Sequence, residues 1–101
     1  SKAAIIGLST AMASFYAPFG ISVNVVAPGL VETPMARRAA QDDTVRRVME
    51  TKQPLARGPL SAEDVAQLSA FMLCDSGAFM TGQVIGIDGG WGVSEAQYAR
   101  D

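Results

Sequence analysis

Residues 21–27 form the segment that most restricts the fold open to this chain. The segment is rich in β-branched side chains, and its polar residues are Ser22 and Asn24. A near-continuous apolar strand of this kind is normally covered on both faces, as in the parallel sheets of α/β proteins. Pro28 and Gly29 follow it and are typical strand terminators. The segment therefore predicts a strand of a parallel α/β sheet that is covered on both faces.

Residues 2–16 carry the pattern of a helix with two packing faces. Large apolar side chains recur at helical spacing along one face, and small side chains form a second stripe. Small residues allow another helix to approach closely. We therefore expect this helix to pack between a sheet and another helix. The large face consists of Ile5, Leu8, Met12 and Phe15, and the small stripe of Ala4, Gly7, Ala11 and Ser14.

Further helices and a second strand are predicted downstream. Thr33 and Pro34 can open a helix, as N-cap and first helical residue, and residues 35–52 are expected to form one or two helices. Ser61 is expected to cap another helix, whose first turn carries acidic residues that suit the helix dipole. Residues 83–87 predict a second strand. The order of elements is therefore helix, strand, helices, helix, strand.

The small number of predicted strands limits the fold class. Two strands cannot supply a full sheet or cover each other's edges. We therefore interpret the chain as α/β, the C-terminal half of a doubly wound, Rossmann-type parallel sheet whose other strands lie upstream. Residues 1–101 are expected to form the C-terminal portion of one such domain, without its N-terminal nucleotide-binding half, and residues 94–101 to be a polar tail.

Composition argues against several classes of function. The formal net charge is −2 and no dense cluster of lysine or arginine is present, which argues against nucleic acid or an anionic membrane as a partner. The chain has no histidine and a single cysteine, Cys74, so it offers neither imidazole catalysis nor a cysteine-rich metal site. No apolar stretch is long enough to span a bilayer. We expect Cys74 to be a small buried side chain and the protein to be cytoplasmic, since a lone cysteine fits a reducing compartment.

Five short motifs together carry a resemblance to a known family. They are residues 1–4, residues 16–29, Thr33, residues 61–66 and residues 81–90. In this order and spacing they resemble the C-terminal part of a short-chain dehydrogenase/reductase, and they are similar in particular to 3-oxoacyl-[acyl-carrier-protein] reductases. The resemblance runs from Ser1 to about Gly92, which is nearly the whole chain.

The resemblance implies that the complete protein transfers a hydride between NAD or NADP and a ketone or secondary alcohol. Lys2 is implied to be catalytic, because in the family this lysine follows a tyrosine one helical turn earlier, on the same helical face. Its ammonium lowers the pKa of that tyrosine toward working pH, and it also hydrogen-bonds the nicotinamide ribose. The tyrosine would precede Ser1, so we expect this polypeptide alone to be inactive. Taken by itself, a lysine near a helix start is more simply a solvated charge.

The same resemblance implies a cofactor site after the first strand. Pro28 and Gly29 would face the nicotinamide ring, where glycine permits close approach of the backbone. Val31 would bind the carboxamide through main-chain groups, and Thr33 through its hydroxyl. Each assignment has a structural alternative, since Pro28 and Gly29 also terminate a strand and Thr33 also caps a helix.

Two other interpretations of the chain stay open. It could be a catalytically incomplete fragment or degenerate paralogue that acts only as an association module, or a small α/β binding module unrelated to dehydrogenases. The dehydrogenase interpretation implies a small-molecule carbonyl or alcohol substrate and a homo-oligomer, either dimer or tetramer, with no nucleic acid, membrane or metal as partner. Met35 and Met49 would then lie in the family's mobile substrate-binding segment, which closes over substrate.

Overall fold

The computed structural model describes residues 1–94, which divide into two compact units. The first unit comprises residues 1–27 and 67–85, and the second comprises residues 28–66 together with residues from 86 onward. No helix within residues 1–94 is both long and apolar enough to cross a membrane. The elements are α1 (Lys2–Tyr16), β1 (Val25–Pro28), α2 (Pro34–Ala39), α3 (Asp43–Lys52), α4 (Ala62–Leu73) and β2 (Val84–Ile87), with short 3₁₀ turns at Ala17–Phe19 and Asp75–Gly77.

Helix α1 has the bounds that the sequence predicts. It begins after Ser1, whose side-chain oxygen accepts a hydrogen bond from the Ala4 N–H at 3.3 Å. It passes into a 3₁₀ turn that ends at Gly20, where φ is 76°. A left-handed residue of this kind closes a helix, and glycine adopts it without steric cost.

Helices α2 and α4 begin at the predicted caps, Thr33 and Ser61. The Thr33 hydroxyl accepts from the Ala36 N–H at 3.0 Å and opens α2. Residues 35–52 contain a second helix, α3, which Asp42 caps. Ser61 and Asp64 cap α4 reciprocally, because each side chain accepts a hydrogen bond from the other residue's N–H at 3.2 Å. These local polar contacts explain why the helix starts were predictable.

Strands β1 and β2 form a parallel sheet, which confirms the predicted fold class. The Val25 N–H donates to the Gln83 carbonyl at 2.8 Å, and the Gly29 N–H donates to the Ile87 carbonyl at 2.9 Å. The two partners advance together along both strands, which is the parallel register. In a parallel sheet, the carboxyl ends of the strands lie at the same edge, so the turns that follow β1 and β2 begin side by side.

The first strand begins later than the sequence pattern predicts, at Val25 instead of residue 21. The preceding residues pair through side chains and through one backbone bond, from the Gly82 N–H to the Val23 carbonyl at 2.8 Å. The Val23 N–H donates to the Thr81 hydroxyl at 3.1 Å, and the Asn24 amide donates to the Met80 carbonyl at 3.0 Å and accepts from the Gln83 N–H at 3.1 Å. The Asn24 side chain therefore links the segment before β1 to the segment before β2, as expected of a hydrogen-bonded structural amide.

Burial of the sheet and of α1 differs from the sequence prediction. Both faces of β1 were expected to be covered, yet Val25 and Val26 are half-buried and the strand's last two residues are exposed. On α1, the large apolar side chains are exposed as well, with Leu8 at 63% and Phe15 at 66%. The physical reason is that β1 has one strand neighbour within residues 1–94, and Ala13 is the single buried residue of α1. Contiguous apolar surface of this kind typically meets another protein surface.

Cys74 is exposed, so the prediction of a buried apolar side chain is wrong. Helix α4 ends one residue earlier, and Cys74 caps the 3₁₀ turn Asp75–Gly77. The backbone N–H of Ser76, directed at the sulfur, is the main cause of a lowered pKa for this thiol. Cys74 therefore lies at a turn where its side chain is exposed, and not on the buried side of α4.

Gly29 lies where the two strand exits approach most closely in the second unit. A Cβ atom at this position would lie 2.8 Å from Asp88 Cβ and 2.9 Å from Asp88 Cα, and it would also meet the side-chain oxygen of Gln53. Real Cβ atoms do not come so close to a backbone atom. Packing within the chain therefore requires glycine at position 29.

We expect Gly29→Ala in the full-length protein to lower the free energy of unfolding by about 1–3 kcal/mol, the usual cost of overpacking. The cause would be displacement of the Asp88 backbone, measured by denaturant unfolding. Gly92→Ala is the matched control, because its Cβ would meet only the Asp88 side-chain oxygen, at 3.1 Å. Equal stability of the two variants would contradict the close approach.

Candidate functional site

The candidate site is the turn of residues 28–33, which leaves the carboxyl end of β1. In open α/β sheets, ligands bind beyond the carboxyl ends of the strands. Four of the residues selected from the sequence, Pro28, Gly29, Val31 and Thr33, lie together on this turn in the second unit. The turn therefore collects the whole predicted cofactor set except Lys2.

Val31 lies in an extended segment that pairs on one side with Leu60 as a parallel bridge. The Leu60 N–H donates to the Leu30 carbonyl at 2.8 Å, and the Glu32 N–H donates to the Leu60 carbonyl at 2.6 Å. In such a bridge, the N–H and C=O of the central residue point to the opposite side. Within residues 1–94, the main-chain groups of Val31 make no hydrogen bond. A donor and an acceptor on one residue are thus directed away from Leu60, which suits a primary carboxamide.

Gln53 supports this turn from inside the second unit. Its side chain is fully buried, with 0% of its surface exposed. Its Oε1 accepts from the Leu30 N–H at 2.6 Å, while its Nε2 donates to the carbonyls of Leu30 at 3.2 Å and Gly58 at 2.8 Å. The residue before Val31 is therefore held through both of its main-chain groups.

Thr33 occupies the start of α2 with an extended backbone, at φ −137° and ψ 165°. Its oxygen accepts from the Ala36 N–H, and this use of a lone pair leaves the hydroxyl proton able to donate. Glu32 and Arg37 form an ion pair beside it at 3.0 Å, with both side chains largely exposed. Exposed pairs of this kind contribute little energy, so the cap is the main local constraint on Thr33.

Lys2 is the first residue of α1 and is exposed. It belongs to the first unit, whereas the turn of residues 28–33 belongs to the second. It lies in the helix that the sequence predicts for residues 2–16. Lys2 therefore lies on α1 in the first unit, and the other four candidate residues lie together on one turn of the second unit.

Asp88 and Met49 have structural roles. Asp88 closes the turn after β2, since its carboxylate accepts from the N–H groups of Gly90 at 3.0 Å and Gly92 at 3.1 Å. No group of three or more metal-ligating side chains occurs among residues 1–94. Met49, assigned with Met35 to a substrate-binding segment, is 6% exposed and forms part of the second unit's core, whereas Met35 is 72% exposed.

Sequence reasoning missed Gln53 and Lys52. The Lys52 ammonium donates to the Ser94 carbonyl at 2.8 Å and lies 5.4 Å from the centre of the Trp91 ring. Ser94 in turn donates its hydroxyl to the Thr51 carbonyl at 3.1 Å. These contacts join the end of α3 to the segment after β2. Of the predicted tail of residues 94–101, all but Ser94 lies outside the described residues. Lys52 and Gln53 are polar residues at the end of a helix, and the hydrophobic periodicity of the sequence does not single them out.

Comparison with known proteins gives consistent matches. A family model described as enoyl-(acyl carrier protein) reductase matches residues 1–92. The chain is 42% identical over 90 residues to the 3-oxoacyl-[acyl-carrier-protein] reductase FabG of Thermotoga maritima. That alignment covers 89% of this chain and 35% of the relative, so the chain spans about a third of the length of the curated relatives it matches.

Solved structures agree with the sequence matches. A short-chain type dehydrogenase/reductase from Mycobacterium ulcerans superposes with a TM-score of 0.83 at 31% identity, covering 92% of this chain and 34% of that one. A 4-hydroxyisoleucine dehydrogenase complexed with NADH gives a TM-score of 0.81 at 28% identity, covering 89% of this chain and 37% of that one. A small binding module unrelated to dehydrogenases is therefore excluded. The chain belongs to the short-chain dehydrogenase/reductase family.

Proposed function

We propose that the full-length protein carrying this chain is an NAD- or NADP-dependent oxidoreductase. It would transfer a hydride between the nicotinamide and a ketone or secondary alcohol. The observation that carries the proposal is Val31, whose N–H and C=O both point away from Leu60 at the carboxyl end of a parallel strand. Family membership supports it, and so does the relative named as complexed with NADH.

The residues of the turn fit the nicotinamide end of such a cofactor. The N–H and C=O of Val31 would bind the carboxamide oxygen and amide, and the Thr33 hydroxyl would add a donor. Pro28 and Gly29 would lie against the ring. The bound nicotinamide supplies or accepts the hydride, while this chain supplies orientation and electrostatics.

Lys2 would act on the proton chemistry at the substrate oxygen. We propose that its ammonium lowers the pKa of a tyrosine placed one turn earlier on the same helix, and that it hydrogen-bonds the nicotinamide ribose. Its place on α1 supports this role, because side chains one turn apart on a helix share a face.

The remaining assignments follow from the same proposal. Residues 1–101 would be the C-terminal portion of one Rossmann-type domain, and the substrate would be a small carbonyl compound or alcohol. The protein would form a homo-oligomer, dimer or tetramer, which the exposed apolar side chains of α1 support. A single cysteine supports a cytoplasmic location.

A catalytically incomplete association module is the second candidate function. It is favoured by the large apolar surface of α1, where Leu8 and Phe15 are both more than half exposed. An assay of NADH and NADPH oxidation with both the full-length protein and the isolated 101 residues separates the candidates. Turnover by the full-length protein alone supports the proposal, and no turnover by either favours the association module.

We expect Lys2→Met in the full-length protein to lower kcat by about 100-fold or more, within the usual range for acid–base groups. Loss of the ammonium should also shift the alkaline limb of the pH–rate profile to higher pH, because the tyrosine pKa is no longer lowered. Steady-state kinetics across pH measures both effects. Arg46→Gln is the control, since it neutralises another partly exposed cation, which pairs with Asp43 and Glu50. Near-normal turnover of Lys2→Met would refute the role of Lys2.

We expect Thr33→Val to raise the KM for the nicotinamide cofactor several-fold, because the hydroxyl donor is lost, while Thr33→Ser keeps a near-normal value. The loss of the cap should also lower the free energy of unfolding by about 1 kcal/mol. Asp42→Ala is the matched control: it removes the cap of α3 with a similar loss of stability and no change in KM. A Thr33→Val variant that loses stability but keeps its KM would show that Thr33 acts only as a helix cap.

A further inference from the structure

Gln53 is the one fully buried polar side chain among residues 1–94. Its own backbone is also occupied: its N–H donates to the Met49 carbonyl at 3.1 Å, and its carbonyl accepts from Ala56 at 3.0 Å and Arg57 at 2.7 Å. A glutamine at this depth costs free energy unless each polar atom is paired. An apolar residue of similar size would fill the same volume, so volume alone does not explain this residue.

The hydrogen bonds of Gln53 fix the orientation of its amide. One partner is a donor, the Leu30 N–H, and the other two are acceptors, the carbonyls of Leu30 and Gly58. A reversed amide would face its oxygen toward two carbonyls and its nitrogen toward an N–H, and it would lose all three bonds. The side chain therefore has one orientation in which it pairs with Leu30 through both of that residue's main-chain groups.

Holding Leu30 in this way orients two successive peptide planes. The Leu30 N–H belongs to the Gly29–Leu30 peptide, and the Leu30 carbonyl belongs to the peptide that also contains the Val31 N–H. Because a trans peptide is planar with its N–H opposite its C=O, the bond from Gln53 to the Leu30 carbonyl directs the Val31 N–H. Leu60 donates to the same carbonyl at 2.8 Å, so two donors fix the plane.

We propose that Gln53 is a positioning residue for the nicotinamide end of the cofactor, acting through Leu30 to direct the Val31 N–H. The inference rests on the proposed function and adds a residue that itself touches neither cofactor nor substrate. A donor directed in advance binds without the entropic cost of ordering the turn. The effect should therefore fall on contacts of the nicotinamide and spare those of the adenosine end.

Two ligands separate these ends. NADH or NADPH, whichever the full-length protein binds more tightly, carries the nicotinamide, and the matching ADP-ribose or its 2′-phosphate lacks it. For Gln53→Met we expect the dissociation constant of the reduced cofactor to rise about tenfold and that of the ADP-ribose ligand to stay within about twofold, which is a differential effect near 1.4 kcal/mol. Calorimetric titration measures both. Gln41→Met, at an exposed glutamine, is the matched control and should change neither.

Each result has a distinct meaning. Equal weakening of both ligands by Gln53→Met would overturn the proposal and leave Gln53 a general stabilising residue, and unchanged binding of both would overturn it too. If the unmodified full-length protein binds neither ligand, the proposed function itself fails. That outcome is recognised before any variant is made.

Amide hydrogen exchange on the unmodified full-length protein keeps the proposal testable if Gln53→Met does not fold. We expect the Leu30 N–H, bonded to Gln53, to be protected without cofactor, and the Val31 N–H to gain protection with NADH or NADPH but not with the ADP-ribose ligand. Fast exchange at Leu30 in the unliganded protein would overturn the proposal, because the turn would then not be held in advance.

Discussion

The parallel pairing of β1 with β2 is the constraint on which the candidate site depends. It brings the carboxyl ends of both strands to one edge of the sheet. A methyl group on Gly29 would therefore collide with Asp88. This closeness leaves no room for a side chain at position 29. A glycine that could be assigned to ligand binding from a family resemblance therefore has a first explanation in packing. A Cβ atom here would point at Asp88 and Gln53, so packing by itself accounts for the glycine.

Hydrogen bonds to buried polar groups organise the second unit around this edge of the sheet. Gln53 and Leu60 pair with the main chain on either side of Val31 and leave the groups of Val31 itself directed elsewhere. A main-chain donor and acceptor that lack partners at the surface are ready for a ligand with the opposite pattern. In the role proposed for Gln53, an interior polar residue serves the turn at the surface. It does so through peptide geometry, without reaching the ligand.

The first unit has a different character. Its described core is small, with Ala13 and Met72 among its few buried residues, while much of α1 is exposed and apolar. Such a helix gains little from burial within this unit, whereas most helices in proteins are stabilised by packing of an apolar face. The large apolar face that the sequence pattern identified is real, but the packing predicted for it is not found within residues 1–94. A helical pattern specifies a face and does not specify what covers it.

Local rules account for what could be predicted from the residues. The caps at Thr33 and Ser61 depend on contacts a few residues apart, so residue type predicts them directly. The second strand was also placed within one residue, because β-branched residues between glycine-rich turns have few other structures open to them.

By itself, then, the sequence determined the element order, the caps of α2 and α4, the parallel α/β class and, through the motif resemblance, a candidate site at residues 28–33. The tertiary structure alone decided that β1 begins at Val25, that Cys74 is exposed, that Met49 is core and that Gln53 holds Leu30. The reason is distance along the chain. Caps and periodicity act over a few residues, whereas Gln53 and Leu30 are separated by 23 positions, and only the folded chain brings them together.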